Sequence, residues 1–375
     1  MPEIEEETAS GPGLPFVLGN SSRERVMERI AGTSTLTRIA IFVGTVVTAL
    51  VIASPVILIA GGNPLSAYAA LLHGSVGSQR GIAESLLAAT PLLVGGLAVS
   101  VAFQAGMFNI GVEGQLVVGG LVAGAVGAKL NVPPVIHLVV ALLAAAIAGS
   151  LWALIPALLK AFRGVHEVIT TIMLNYIAFS LSTYLVSPGG PLVSKTQPSA
   201  TDKVRPNALL PKIWEPTRLH AGLFLAAVLC AACWWLLYRM PAGFRLRMVG
   251  SNPVAAAANG IAVRRVMISA MCTSGALAGL AGAIEVLGLH GRYFDSFSPG
   301  YGFDAIAVAL LGLMNPIGVA ASALFFGLLR AGSVLLQARA GISKDLVTVI
   351  SGVIVAAVAG RVAFERWIDK RRAAK

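Results

Sequence analysis

Charge is scarce in this sequence: Asp, Glu, Lys and Arg make up 12% of its 375 residues, where a soluble domain carries about 25%. So few charges cannot clothe a surface in water, and 56% of the chain is hydrophobic, with a mean hydropathy of +0.81. Cysteine is scarce too. Three cysteines set no disulfide framework. Cys230 and Cys233 form a C-x-x-C inside the apolar run 223–237, away from the water or base that redox or zinc chemistry needs, so they read as small packing residues. No Gly-x-x-x-x-Gly-Lys-Ser/Thr loop is present, and any nucleotide hydrolysis must come from another polypeptide. A Gly-x-Ser-x-Gly elbow is missing as well. His166-Glu167 begins a His-Glu-x-x-His pattern, but Thr170 stands where the second histidine belongs, and the five histidines are scattered. An intramembrane hydrolase is thereby disfavoured, with neither catalytic nor metal-ligating residues expected. Residues 1–34 lack an apolar stretch and open on Glu3, Glu5, Glu6 and Glu7, so no cleavable signal peptide is expected.

What is abundant is apolar sequence in helix-length runs. A spanning helix takes about 20 mostly apolar residues. Such runs cover 39–60, 82–105, 135–159, 168–186, 221–237 and 266–289. A shorter one covers 115–128, the stretch 303–337 is broken at Asn315-Pro316 into a short helix and a full one, and the last run is 346–362. The expectation is an all-α, polytopic transmembrane helical bundle of about ten spans. The formal charge of +11 could suggest nucleic acid, but the basic residues lie in the gaps between apolar runs, where they act as topology signals. With the N-terminus inside, seventeen of the 28 lysines and arginines face the cytoplasm. Five of the others lie in the loop 187–220, which translocates largely regardless of its charge. This predicts a multi-pass protein of the cytoplasmic (inner) membrane with both termini inside. Residues 1–34 form a cytoplasmic tail, 35–362 the transmembrane domain with 187–220 external and 239–265 cytoplasmic, and 363–375 a basic cytoplasmic tail.

Three kinds of segment carry more than hydrophobicity. Gly120-x-x-x-Gly124 and Gly275-x-x-x-Gly279 are spaced for close helix packing in a membrane. Phe108-Asn109-Ile110-Gly111 precedes one short Gly-rich helix and Ser298-Pro299-Gly300-Tyr301-Gly302 precedes another, on segments that enter the membrane from opposite sides. Such a weak inverted repeat of broken helices points to a substrate path near its centre. Asn109, Glu113, Gln115, Asn175, Tyr301 and Asp304 are the candidates for lining it, because polar groups at membrane depth usually face a cavity; a plain surface turn at 108–115 would need no such explanation. The loop 239–265 holds five arginines and no acid. Within it Asn252 is placed to cap a helix that starts at Pro253, runs through alanines including Ala256, and stops at Gly260. A helix this short is marginal alone and needs something to dock on. Gly250, Ser251, Asn252, Pro253, Ala256 and Gly260, with Arg245, Arg247, Arg264 and Arg265, are the candidate docking set. An interfacial helix held by anionic lipid is the alternative.

The segments 108–115, 164–176, 250–261, 274–282 and 298–312 together resemble the permease subunits of bacterial ABC importers for nucleosides, within the wider ribose and branched-chain amino acid permease superfamily. The resemblance runs from about residue 40 to 362 and implies a ten-helix importer fold. It implies that 250–261 is the coupling element for a separate ATP-binding subunit, which carries the ATP and Mg. It further implies a second permease subunit, often a different chain, and an extracytoplasmic substrate-binding protein; no cofactor is expected on this chain and no nucleic acid among its partners. A permease for a simple sugar or a branched-chain amino acid stays open. An ion-coupled secondary transporter fits less well: Glu84 and Glu285 fall near span ends, and Arg330 has no partner legible in the sequence.

Overall fold

The computed structural model of the chain describes residues 35–59 and 62–340, together with 349, 352 and 353. Among the described residues the regular structure is helical, with two isolated β-bridges. The long elements are α1 (Thr35–Ile59), α2 (Pro64–Val76), α3 (Gln79–Gln104), α4 (Val112–Lys129), α5 (Pro134–Arg163), α6 (Glu167–Val186) and α7 (Gly222–Arg239). They are followed by α8 (Pro241–Ser251), α9 (Pro253–Ala258), α10 (Val263–Ile284, continued by a π turn Glu285–His290), α11 (Tyr301–Leu311) and α12 (Pro316–Ala340). Local chemistry sets many of the boundaries. Asn63 caps α2 by accepting from Leu65 N, with Pro64 at the first position, and Ser78 caps α3 through Gly81 N at 3.0 Å. Gly164, at φ +67°, ends α5 in the left-handed region.

Six helices are long and apolar enough to cross a membrane, or up to seven if the bent pair α1–α2 counts as one span. The expected ten are therefore too many among the described residues. The runs around 115–128 and 303–314 do form helices, α4 and α11, but both start inside the bundle rather than at its edge. The first run does not continue straight: α1 and α2 are bent by 113° relative to each other across the break between Ile59 and Pro64, and the sequence reading does not anticipate α2. The run 346–362 lies outside the described residues.

α5 shows what surrounds the bundle. Ala141, Ala145, Gly149, Ala153 and Ala157 are buried, while Val135, Val139, Leu143, Ile147, Leu151 and Ile155 on the opposite face are exposed. A helix in water puts its large apolar residues inside; here the small ones are inside and the large ones outside, as lipid as solvent requires. The small stripe lets α10 approach at backbone distance. A Cβ at Gly279 would fall 2.3 Å from the carbonyl oxygen of Ala145, so no larger residue fits. Gly275 likewise meets Gly149, as its spacing predicts. Gly120 faces the Phe297 ring as well as Gly282 of α10, and Gly124 lies against the Cβ and backbone nitrogen of Tyr293.

The helices pack reciprocally. α5, which follows short α4, packs along α10, and α12, which follows short α11, packs along α3. α4 lies against α10 and α11 against α3. Each long–short–long set thus lends its last helix to the other, an arrangement that brings the two short helices together at the centre. The segment 187–220 closes one end. Its backbone bonds to Gly127 of α4 and to Leu287, Gly291 and Tyr293 beyond α10, and Arg218 grips Glu84 at the start of α3 through two hydrogen bonds of 3.0 and 2.7 Å. That bond holds the Arg218 guanidinium above its ordinary pKa. His220 is pushed down to about 4 by burial alone, so it is a neutral packing residue near neutral pH.

Candidate functional site

The starts of α4 and α11 meet inside the molecule. Gly302 lies so close to the backbone of Glu113 that an added Cβ would sit 2.3 Å from its nitrogen. A helix start presents unpaired N–H groups and a partial positive charge. The Glu113 carboxylate meets that need at α11, accepting from Gly302 N and from the Ser298 hydroxyl.

Around α4 the amides are committed to one another. Asn109 donates from Nδ2 to Gln115 Oε1 and to Ser274 Oγ, both at 2.9 Å, and its Oδ1 accepts from Gly111 N and Gln115 Nε2. Ser274 in turn donates to the carbonyl of Ala98. Asn175 reaches across from α6, accepting from Gly114 N at 2.9 Å and donating to Ile110 O at 3.0 Å. Asn109, Glu113, Gln115 and Asn175 are all buried. Their hydrogen bonds replace the backbone pairs that the break between α3 and α4 removes. Asn175→Leu would leave one donor and one acceptor unpaired in the core, each costing about 1–3 kcal/mol. The solubilised variant is expected to melt several degrees lower; an unchanged melting curve with lost transport would assign Asn175 to ligand contact instead.

A second polar group is built differently. Arg330, on α12, pairs with Asp304 at 2.7 Å, lies 4.3 Å over the ring of Tyr301, and donates to the carbonyl of Pro299. The sequence had shown no partner for Arg330; the fold supplies one because α12 packs on α11. The Asp304 and Arg330 side chains keep 22% and 21% exposure while the amides around α4 keep almost none. Exposed Phe303 and Pro299 border them. An ion pair on an otherwise apolar surface requires water or protein in front of it, not hydrocarbon.

At the opposite end of α11 lies the charged loop, now resolved into α8 and α9. Asn252 Oδ1 accepts from Val254 N and Ala255 N, both at 3.0 Å, and Gly260, at φ +77°, ends the turn. Ala256 is wholly buried against its own chain, whereas Pro253, Val254, Ala257 and Ala258 face outward. Arg245, Arg264 and Arg265 are exposed, with Arg264 lying over Phe162 at 5.7 Å. Arg247 is half-buried over Tyr238 at 5.2 Å. Gly250 and Ser251 are half-buried as well, Gly250 directly against the end of α3. Across the next turn Lys160 holds Glu167, the first residue of α6, at 2.8 Å. Sequence reasoning thus located the capped helix but not which of its faces is free. It also missed Ser274, Ser298 and Arg330; of these only Arg330 carried a signal, as an arginine inside an apolar run needing an acid.

A bundle with large apolar residues outward, two half-helices meeting at its centre and a charged loop at one end defines a polytopic membrane permease. The chain belongs to the family of branched-chain amino acid transport system / permease components, which it matches over residues 81–359, from α3 onward. It is 39% identical over 339 residues to the guanosine ABC transporter permease protein NupP of Bacillus subtilis (strain 168), covering 88% of this chain and 94% of that protein. It is 35% identical over 322 residues to the glucose ABC transporter permease protein TsgB13 of Haloferax volcanii, covering 83% and 84%. It is 31% identical over 329 residues to the nucleoside ABC transporter permease protein NupB of Lactococcus lactis subsp. cremoris, covering 85% and 90%. No solved structure matches the chain.

Proposed function

We propose that this chain is the membrane permease subunit of an ATP-driven ABC importer for nucleosides. Similarity to two nucleoside permeases over more than four-fifths of the chain carries the reading. The glucose permease is nearly as similar, and a nucleoside's ribose offers the same kind of hydroxyls, so a sugar importer is the second reading. Both termini and the loop 239–265 face the cytoplasm and 187–220 faces outside. The loop docks on an ATP-binding subunit that holds ATP and Mg. A second permease subunit, a different chain, completes the path, and an extracytoplasmic binding protein delivers the ligand.

Substrate passes along Asp304 and Arg330, with the buried Tyr301 ring beneath the guanidinium. Asn109, Glu113, Gln115 and Asn175 shape that path from behind by holding the start of α4. The observation behind this division is exposure: the ion pair alone keeps open surface. The test is uptake in proteoliposomes holding the chain with an ATP-binding subunit, a second permease subunit and a substrate-binding protein. ATP-dependent uptake of labelled guanosine, competed by other nucleosides but not by glucose or leucine, is expected. Competition by glucose would move the chain to the sugar branch, and uptake indifferent to ATP would overturn the importer reading.

A further inference from the structure

The charged loop and both helix breaks meet at one side chain. α3 ends at Gln104, just before the break at Ala105-Gly106, and its carbonyl lies against α8: a Cβ at Gly250 would fall 2.1 Å from Gln104 O and 3.0 Å from Gly106 N. The Gln104 side chain reaches the other break, where Nε2 donates to Met314 O at 3.2 Å. There α11 gives way to α12 through Leu313 and Met314, two consecutive non-glycine residues at φ 54° and 55°. Asn315, next in the chain, donates from Nδ2 to the Tyr238 hydroxyl at 3.1 Å, and the Tyr238 ring lies under the Arg247 guanidinium. Arg247 sits one turn before Gly250 on α8. The contacts therefore close a ring, from α8 through Gln104 and Met314 to Asn315, Tyr238 and back to α8.

We propose that Gln104 is the positioning residue through which displacement of the loop 241–260 reaches both helix breaks at once. This rests on the importer reading above. A backbone-on-backbone contact such as Gly250 on Gln104 has no flexible side chain to absorb a shift, so α8 cannot move without carrying the end of α3. Gln104 then transmits that movement in two directions. Along the chain it leads through Gly106 to Asn109 and the start of α4; across the fold it leads through Met314 to α11, whose first turn holds Tyr301 and Asp304. The two half-helices that meet at the centre are thereby driven from one point. The same group also holds a spare donor and a spare acceptor: Arg247 Nε and Gln104 Oε1 are buried without hydrogen-bond partners among the described residues. Two arrangements of α8 on α3, differing in whether those atoms are paired, would supply the discrete states that mechanical coupling requires.

Gln104→Leu keeps the volume and removes the bond to Met314 O. Tyr238→Phe keeps the ring under Arg247 and removes the bond from Asn315. Both are tested in the complete complex in proteoliposomes, scoring co-purification of the ATP-binding subunit, basal hydrolysis, and ligand taken up per ATP hydrolysed. Both variants are expected to co-purify and hydrolyse like the parent. Uptake per ATP should fall roughly tenfold for Gln104→Leu and about threefold for Tyr238→Phe, the size that changes along a coupled network produce. An unchanged ratio in both would overturn the inference. So would a loss of uptake and hydrolysis in equal proportion, which marks a merely structural residue. Should Gln104→Leu fail to assemble, the ratio in Tyr238→Phe decides. An ATP-binding subunit that fails to co-purify with the parent chain would instead refute the importer reading.

Discussion

Val254→Glu is expected to abolish co-purification of the ATP-binding subunit and to stop uptake, while the chain still inserts and folds. Val254 is 76% exposed at the outer face of α9, and its side chain supports nothing within the described chain. The loop around it carries five arginines and no acid, so the surface it docks on should be acidic. A carboxylate placed there meets like charge and loses its water without gaining a partner, a cost of several kcal/mol. About 3 kcal/mol already weakens association more than a hundredfold. The sequence pointed to Ala256 for this purpose. The fold corrects that choice: Ala256 is 0% exposed and packs into its own chain, so a glutamate there would unseat the helix and say nothing about docking. Co-purification at the parental yield from Val254→Glu would remove α9 from the docking surface.

Arg330→Met is expected to have the other large effect. It leaves the Asp304 carboxylate beside Tyr301 with no counter-charge in an apolar bundle. Breaking a buried pair from one side costs about 3–5 kcal/mol, and the partial exposure of this pair lowers that to about 2–3 kcal/mol. Melting of the solubilised protein should drop and uptake should cease. Asp304→Asn combined with Arg330→Met removes both charges, and should recover most of the lost stability because no charge is left unpaired. Uptake by the double variant separates the roles. If the pair faces the substrate, transport stays low although the fold is restored; parental transport would reduce the pair to a structural link. A single variant as stable as the parent would mean that the ion pair contributes nothing.

Hydrophobicity and capping were legible residue by residue. The apolar runs within the described residues became helices near their expected positions, and Asn252, Pro253 and Gly260 opened and closed α9 as their side chains and φ preferences require. Those features depend on neighbours a few positions away, which a sequence displays directly. The paired short helices were legible too, as two glycine-rich interruptions. Span count was not. A run of apolar residues reports only that a helix avoids water, and α4 and α11 avoid it by starting against each other rather than by crossing the full thickness.

What the sequence by itself determined is that the chain lives in lipid, that its helices are interrupted in two matching places, and that one loop presents a capped helix among arginines. Only the tertiary structure decided which polar residues face one another. Asn109 finds Ser274, Glu113 finds Gly302, Gln104 finds Met314 and Arg330 finds Asp304 across separations of 165, 189, 210 and 26 residues. The physical reason is the packing of small residues: Gly149, Gly275, Gly279 and Gly327 bring backbones together from distant parts of the chain. The low dielectric between those helices then makes each buried polar group take whichever partner the packing delivers.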